Sequence, residues 1–272
     1  MGPTFDGRKK PDLLAVGTVN VGGRWRQGTS YSAPVVSGAA AIVRQYFEDG
    51  WYPCGDNKNC DRVQKFRPSG SLIKAILMNG AKPITKVTGS SDKDDLKPYD
   101  FKQNVGKMNL LSSLPLSSAN NYINLVVINH RKLPTSGSID SFNIQIDHSQ
   151  CPSSIPLSIT MTYYDRRGTA GCTQCLVQDL DLKLQKLDSH YQDVGTPIYA
   201  TSNQNQPDSI NNYEKIVVNT KHLEYYAISI TATNVVGPQR YSLAATGCFD
   251  LKLDALHTSN SDDTITDLFC NP

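Results

Sequence analysis

The 272-residue sequence has no apolar run approaching 18 residues, which excludes a transmembrane helix on length alone. It has no marked charge of either sign: 27 basic side chains meet 25 acidic ones, for a net charge of +2. No basic cluster stands out, so neither nucleic acid nor an anionic membrane is implied as a partner. No Asn-x-Ser/Thr acceptor occurs, and nothing supports a glycosylated ectodomain. The opening residues lack the apolar core of a signal peptide. Pro3 and Asp6 do not suit a myristoylation signal. Histidine is scarce, and the five (His130, His148, His190, His222 and His257) all lie at residue 130 or beyond. What is present is an ordinary globular composition, 39% hydrophobic and 19% charged, long enough for one large or two ordinary domains.

Seven cysteines are spread along the chain: Cys54, Cys60, Cys151, Cys172, Cys175, Cys248 and Cys270. Cys54 and Cys60 bracket a short polar loop, and Cys172 and Cys175 form a C-x-x-C. A zinc site needs a second such pair, or two nearby histidines, and neither occurs. Local disulfides in a secreted or lumenal protein are the preferred reading, with one thiol left over.

Gln27 to Ala41 reads as a glycine turn running into a helix, expected from Tyr31 to Phe47 on the spacing of Val35, Val36, Ala39, Ile42, Val43 and Tyr46. Ser30 stands at the junction. It suits a helix N-cap. It equally suits a nucleophile placed where the free N–H groups of a helix start would stabilise an oxyanion. Gly28-Thr29-Ser30-x-Ser32-Ala33-Pro34-x-Val36-x-Gly38 resembles the serine block of the subtilisin-like proteases. Upstream, Lys10-Pro11-Asp12-Leu13-Leu14-Ala15-Val16-Gly17 resembles the same family's K-P-D strand, with Val16 in place of its usual proline. Ser30 is then the family's nucleophile position, with Gly28 and Thr29 in the loop that faces substrate and oxyanion. Asp12 belongs to the structural strand.

A second helix is expected from Gly70 to Asn79, opened by Pro68-Ser69 and stopped by Gly80. It is similar to the helix that packs beside the serine helix in subtilases. Ser90–Asp95 reads as a solvated loop. Asn104–Leu110 weakly resembles the element that closes the family's catalytic domain. Ser112 to Ser118 suits a linker. Beyond it come β-like runs at 122–129, 139–146, 157–164, 177–185, 214–218, 225–233 and 241–246, several alternating apolar and polar. They predict an antiparallel sandwich or jelly roll. This half resembles the C-terminal β-barrel of large alkaline subtilases, through Asp179-Leu180-Asp181-Leu182 and Asn234-Val235-Val236-Gly237-Pro238-Gln239-Arg240-Tyr241-Ser242-Leu243-Ala244. The expected fold is therefore the C-terminal part of an α/β, parallel-sheet catalytic domain (1–118), an all-β domain (119–248) and a tail (249–272).

Asp179 and Asp181 at i, i+2 share one strand face, with Asp165 after the preceding run. They read as a solvated face or as a Ca²⁺ site. A serine hydroxyl needs a base and a group that orients the base. The family's order is Asp, His, Ser, with the oxyanion Asn between His and Ser, and no histidine precedes Ser30. The resemblance thus implies a serine endopeptidase acting on peptide or protein substrates. An N-terminal segment outside this sequence would supply His, Asp and Asn. The other reading is an inactive, truncated protease whose β-domain is a binding or stabilising module.

Overall fold

The computed structural model describes residues 2–85, 96–120, 122–149, 151–152, 155–200 and 206–258, with side chains described as far as residue 250. The loop expected at Ser90–Asp95, Cys270 and most of the expected tail lie outside these residues.

The chain opens with a two-stranded hairpin, β1 (Thr18–Val21) and β2 (Arg24–Gln27). Gly22 and Gly23 form its turn at φ 57° and 77°, the left-handed pair that a two-residue hairpin turn requires. Helix α1 follows at Thr29–Glu48, two residues earlier and one later than expected, then α2 at Gly70–Asn79 as expected. Ser69 caps α2 by accepting a hydrogen bond from the Leu72 N–H, 3.1 Å. The strand expected around residues 12–16 pairs through Leu14 alone, which bridges Lys107 in parallel. The presumed linker at 112–118 is packed: Leu114 and Pro115 are buried, and the Pro115 carbonyl accepts from the Tyr46 hydroxyl.

Among the described residues nine strands follow: β3 (Asn124–Leu133), β4 (Ile139–Ile146), β5 (Leu157–Tyr163), β6 (Asp179–Leu187), β7 (Ile198–Tyr199), β8 (Tyr213–Val218), β9 (Tyr225–Asn234), β10 (Gln239–Gly247) and β11 (Phe249–Thr258). They form two antiparallel sheets, ordered β3-β10-β5-β8 and β11-β4-β9-β6-β7. The expected β-rich half is therefore present. Residues 249–258, read as tail, instead extend the second sheet by pairing with β4.

The two sheets close on a shared core that includes Ile144, Ile159, Met161, Leu182, Ile228 and Leu243. The first sheet also carries α2 on its outer face, so it is a middle layer, and strand β5 is buried at every residue. Its alternation resolves into two functions. Leu157, Ile159, Met161 and Tyr163 fill the inter-sheet core. Ser158, Thr160 and Thr162 turn to α2, where they hydrogen-bond Asn79 and Ser71. Helix α1 packs on α2 through a second core of Val43, Tyr46, Phe47, Leu72, Ala75 and Ile76, joined from the sheet by Leu125, Val127 and Ala244.

Of the six cysteines described, two pairs are local as expected, Cys54–Cys60 and Cys172–Cys175. The third, Cys151–Cys248, is long-range and spans 97 positions.

Candidate active site

Gly28, not Ser30, is the N-cap of α1. Its backbone sits at φ 155°, ψ 159°, a conformation essentially closed to residues with a Cβ. Ser30 is thereby released from capping and is the second residue of the helix. It is exposed, and among the described residues its hydroxyl has no hydrogen-bond partner. At this end the N–H groups of Thr29 and Ser30 have no intrahelical acceptor and carry the positive end of the helix dipole.

The turn is held from below. The Gly28 N–H donates to the Gly17 carbonyl at 2.9 Å. Ser32 Oγ reaches the Ala15 carbonyl at 3.4 Å. Segment 12–17 is fixed in turn by Leu14, whose N–H donates to Gly106 O at 2.8 Å and whose carbonyl accepts from Met108 N at 2.9 Å. Asp12 is clamped by Lys10 Nζ at 2.7 Å and Lys74 Nζ at 3.5 Å, a structural role on α2. Burial holds the Lys74 ammonium down to about 8 despite Asp12 beside it.

The opposite side of the turn is open. Val35 and Ile42 on α1 are exposed together with Ala33, Pro34, Gly38 and Ala41. The preceding hairpin shows Trp25 at 71% exposure and Val21 at 56%. These apolar side chains are exposed on a helix whose other face is core. No described histidine is hydrogen-bonded to Ser30. His130 lies in β3. His148 and His222 sit together, the His148 N–H donating to His222 Nδ1 at 3.1 Å.

The carboxylates expected as cation ligands meet a different environment. Asp165 accepts from the backbone N–H groups of Arg166, Val177 and Gln178 at 2.7–3.0 Å, so both its oxygens are committed to a turn. Asp181 Oδ2 accepts from the Thr233 hydroxyl. Among the described residues no group of three acidic, histidine or cysteine side chains is placed to hold a metal ion. Instead Asp179 and Asp181 approach Glu214, which the sequence reading passed over. Among the described residues, buried oxygens on all three lack hydrogen-bond partners: Asp179 Oδ1, Asp181 Oδ1 and Glu214 Oε1. Burial, reinforced by the charges of Asp181, Asp208 and Asp165, pushes the Asp179 carboxyl up to about 6. Glu214 is fully buried and is held well above the usual carboxylate range for the same first reason. The signal for Glu214 was in β8, where Glu214 and Ile216 alternate with Tyr213 and Lys215.

Residues 1–107, which hold the serine turn and its supports, match the model of the subtilase family. This part of the chain is similar to the subtilases. Curated relatives from Dictyostelium discoideum agree. Serine protease/ABC transporter B family protein tagB is 26% identical over 90% of the chain, and tagD is 28% identical over 97%. The chain covers 16% and 18% of those two proteins, less than a fifth of their length. Among solved structures, a Yersinia pseudotuberculosis-derived mitogen overlaps 55% of the chain with a TM-score of 0.25 and 12% identity, too low to bear on the fold.

Proposed function

We propose that this chain is the nucleophile-bearing part of a subtilisin-like serine endopeptidase, with Ser30 as the nucleophile. The observation that carries the reading is the uncapped, exposed Ser30 on the first turn of α1, within the stretch that matches the subtilase model. Ser30 Oγ attacks the scissile carbonyl. Its proton passes to a histidine, and the developing oxyanion is met by N–H groups at the positive end of α1. The histidine, the aspartate that orients it and the oxyanion asparagine come from polypeptide outside these residues, because no histidine precedes Ser30.

The same polypeptide would cover the apolar face of α1 at Val35 and Ile42. The parallel bridge between Leu14 and Lys107 supports reading residues 1–118 as the C-terminal portion of a parallel-sheet catalytic domain. Peptide substrate would lie extended beside the exposed hairpin, adding backbone hydrogen bonds to its edge. Three disulfides favour an oxidising, secreted or lumenal setting.

The test is labelling with a fluorophosphonate probe, mapped by peptide mass spectrometry, on the full-length polypeptide. Label on Ser30, lost in Ser30→Ala, is expected. Label elsewhere, or none on folded full-length material, refutes the assignment. The second reading is that the β-domain serves as a stabilising module for an inactive protein. It draws on the dense hydroxyl seam between α2 and the middle sheet, and absence of labelling would favour it.

A further inference from the structure

The C-x-x-C of the sequence is not absorbed by the protease reading. Cys172 and Cys175 close a disulfide across three positions, in the loop between β5 and β6. Neither is buried. Both line an open cavity of about 410 Å³, and three guanidinium groups line it with them: Arg8, Arg166 and Arg167. One carboxylate, Asp165, faces the same space, with its oxygens drawn to the three backbone N–H groups of its own turn. Arg8 Nε also contacts Asp6 at 2.6 Å, whereas Arg166 and Arg167 are exposed at the rim. With three guanidinium groups against one carboxylate, the charged lining of the cavity is net cationic.

A cysteine thiolate beside arginine is stabilised relative to the thiol. That stabilises the reduced pair and makes either cysteine a better leaving group when its disulfide is attacked. The other two disulfides lack this setting. Cys248 of the Cys151 bridge is buried. The Cys54–Cys60 loop carries one cation, Lys58, against one carboxylate, Asp56, whose oxygens bond the Lys58 and Asn59 N–H groups and the Asn59 amide, so it has no excess of positive charge.

We propose that Cys172 and Cys175 are a redox-exchangeable pair, open through the arginine-lined cavity to an external dithiol reductant. A thiolate of that dithiol attacks one of the two sulfurs. The Cys172–Cys175 bond breaks, and the departing cysteine leaves as a thiolate held by the arginines. The second thiol of the reductant, deprotonated to solvent, then attacks its own sulfur in the mixed disulfide and releases the other cysteine. The protein disulfide gains two electrons, and the reductant becomes a disulfide. The protons that it loses go to solvent or to the released thiolates.

The wild-type chain is equilibrated in graded ratios of reduced to oxidised dithiothreitol, trapped with N-ethylmaleimide and mapped by mass spectrometry. Cys172 and Cys175 are expected to be alkylated at ratios at least tenfold lower than Cys54, Cys60, Cys151 or Cys248. In Cys172→Ser, the alkylation rate of Cys175 against pH should report a thiol below the ordinary value of about 8.5. Adding Arg166→Gln and Arg167→Gln should raise it by roughly one unit, slowing alkylation about tenfold at pH 6. Reduction in step with or after the other bridges overturns the proposal. So does a thiol profile unmoved by loss of the arginines.

Discussion

Asn79, the last residue of α2, ties the helix layer to the middle sheet, and its removal tests whether the two stand or fall together. Its Nδ2 donates to Thr246 Oγ1 at 2.8 Å. Its Oδ1 accepts from Ser158 Oγ at 3.0 Å and Thr160 Oγ1 at 3.1 Å. Asn79→Ala deletes all three. Ser158 keeps the Asn79 backbone carbonyl at 3.0 Å, and Thr246 keeps a long contact to Ser112 O. Thr160, with no exposed surface, is left without a partner. Three bonds at about 1 kcal/mol each, plus about 1 kcal/mol for the stranded hydroxyl, give a loss of about 4 kcal/mol. Thr160→Val should then cost about 1 kcal/mol in the wild type and nearly nothing in the Asn79→Ala background, because the stranded group is already gone. Urea unfolding followed by tryptophan fluorescence and by far-UV circular dichroism checks both numbers. Trp25 and Trp51 lie in the N-terminal part, while the dichroism is dominated by the sheets. A loss under about 1 kcal/mol refutes the energetic argument. Two separated transitions, with only one displaced, refute the coupling of the layers.

The Asp179 carboxyl, raised to about 6 by burial and by neighbouring acids, is above its unfolded value, so the stability it favours is present at low pH and lost as pH rises through 6. Asp179→Asn should therefore be more stable than wild type by about 2 kcal/mol at pH 7.5 and equal to it near pH 3.5; parallel stability–pH curves would contradict this. Breaking Cys151–Cys248 should cost about 2 kcal/mol more than breaking Cys54–Cys60, since the loops span 97 and 6 positions, and calorimetry of the paired Ser variants measures the difference. Ile42→Ser, at a site 54% exposed, should change the stability of this chain by under about 0.5 kcal/mol, whereas Val43→Ala beside it should cost about 2 kcal/mol. In the full-length polypeptide Ile42→Ser should also reduce fluorophosphonate labelling of Ser30; unchanged labelling would show that nothing docks on that face.

The strands were legible because their alternation is strong: Ile139–Ile146 reads and forms over the same residues. Both helices were legible from spacing, and α2 from its Ser69 cap as well. The middle layer was not. Ser158, Thr160 and Thr162 look like the wet face of a two-layer sandwich, because a hydroxyl row satisfied by a helix has the same composition as one satisfied by water. Nor was the capping of α1. The order Gly-Thr-Ser leaves open which residue caps, and only the backbone at Gly28 assigns it. The turn role of Asp165 was not legible either, because a carboxylate closing a turn on three backbone N–H groups has the same sequence context as a cation ligand.

The hydroxyl seam bears on why a serine turn should travel with a β-domain. An apolar contact between α2 and the sheet would tolerate sliding, since dispersion has no register. The seam has one: Ser71 with Ser242 at 2.8 Å, Thr162 with the Ser71 carbonyl at 2.6 Å, and Asn79 with three hydroxyls. Lys215 adds to it from β8, donating to the Met78 and Ala81 carbonyls at the end of α2. Each bond is directional, so displacement of α2 by one strand position would strand several buried groups at once. Helix α1 rests on α2, and the turn at Gly28–Ser30 rests on segment 12–17, which Lys74 of α2 holds through Asp12. The sheets thereby set the position of α2, and α2 sets the position of Ser30. On the proposed reading, Ser30 must hold its place to within a fraction of an ångström against a base carried on other polypeptide. A registered polar seam supplies that constraint where an apolar one would supply only adhesion.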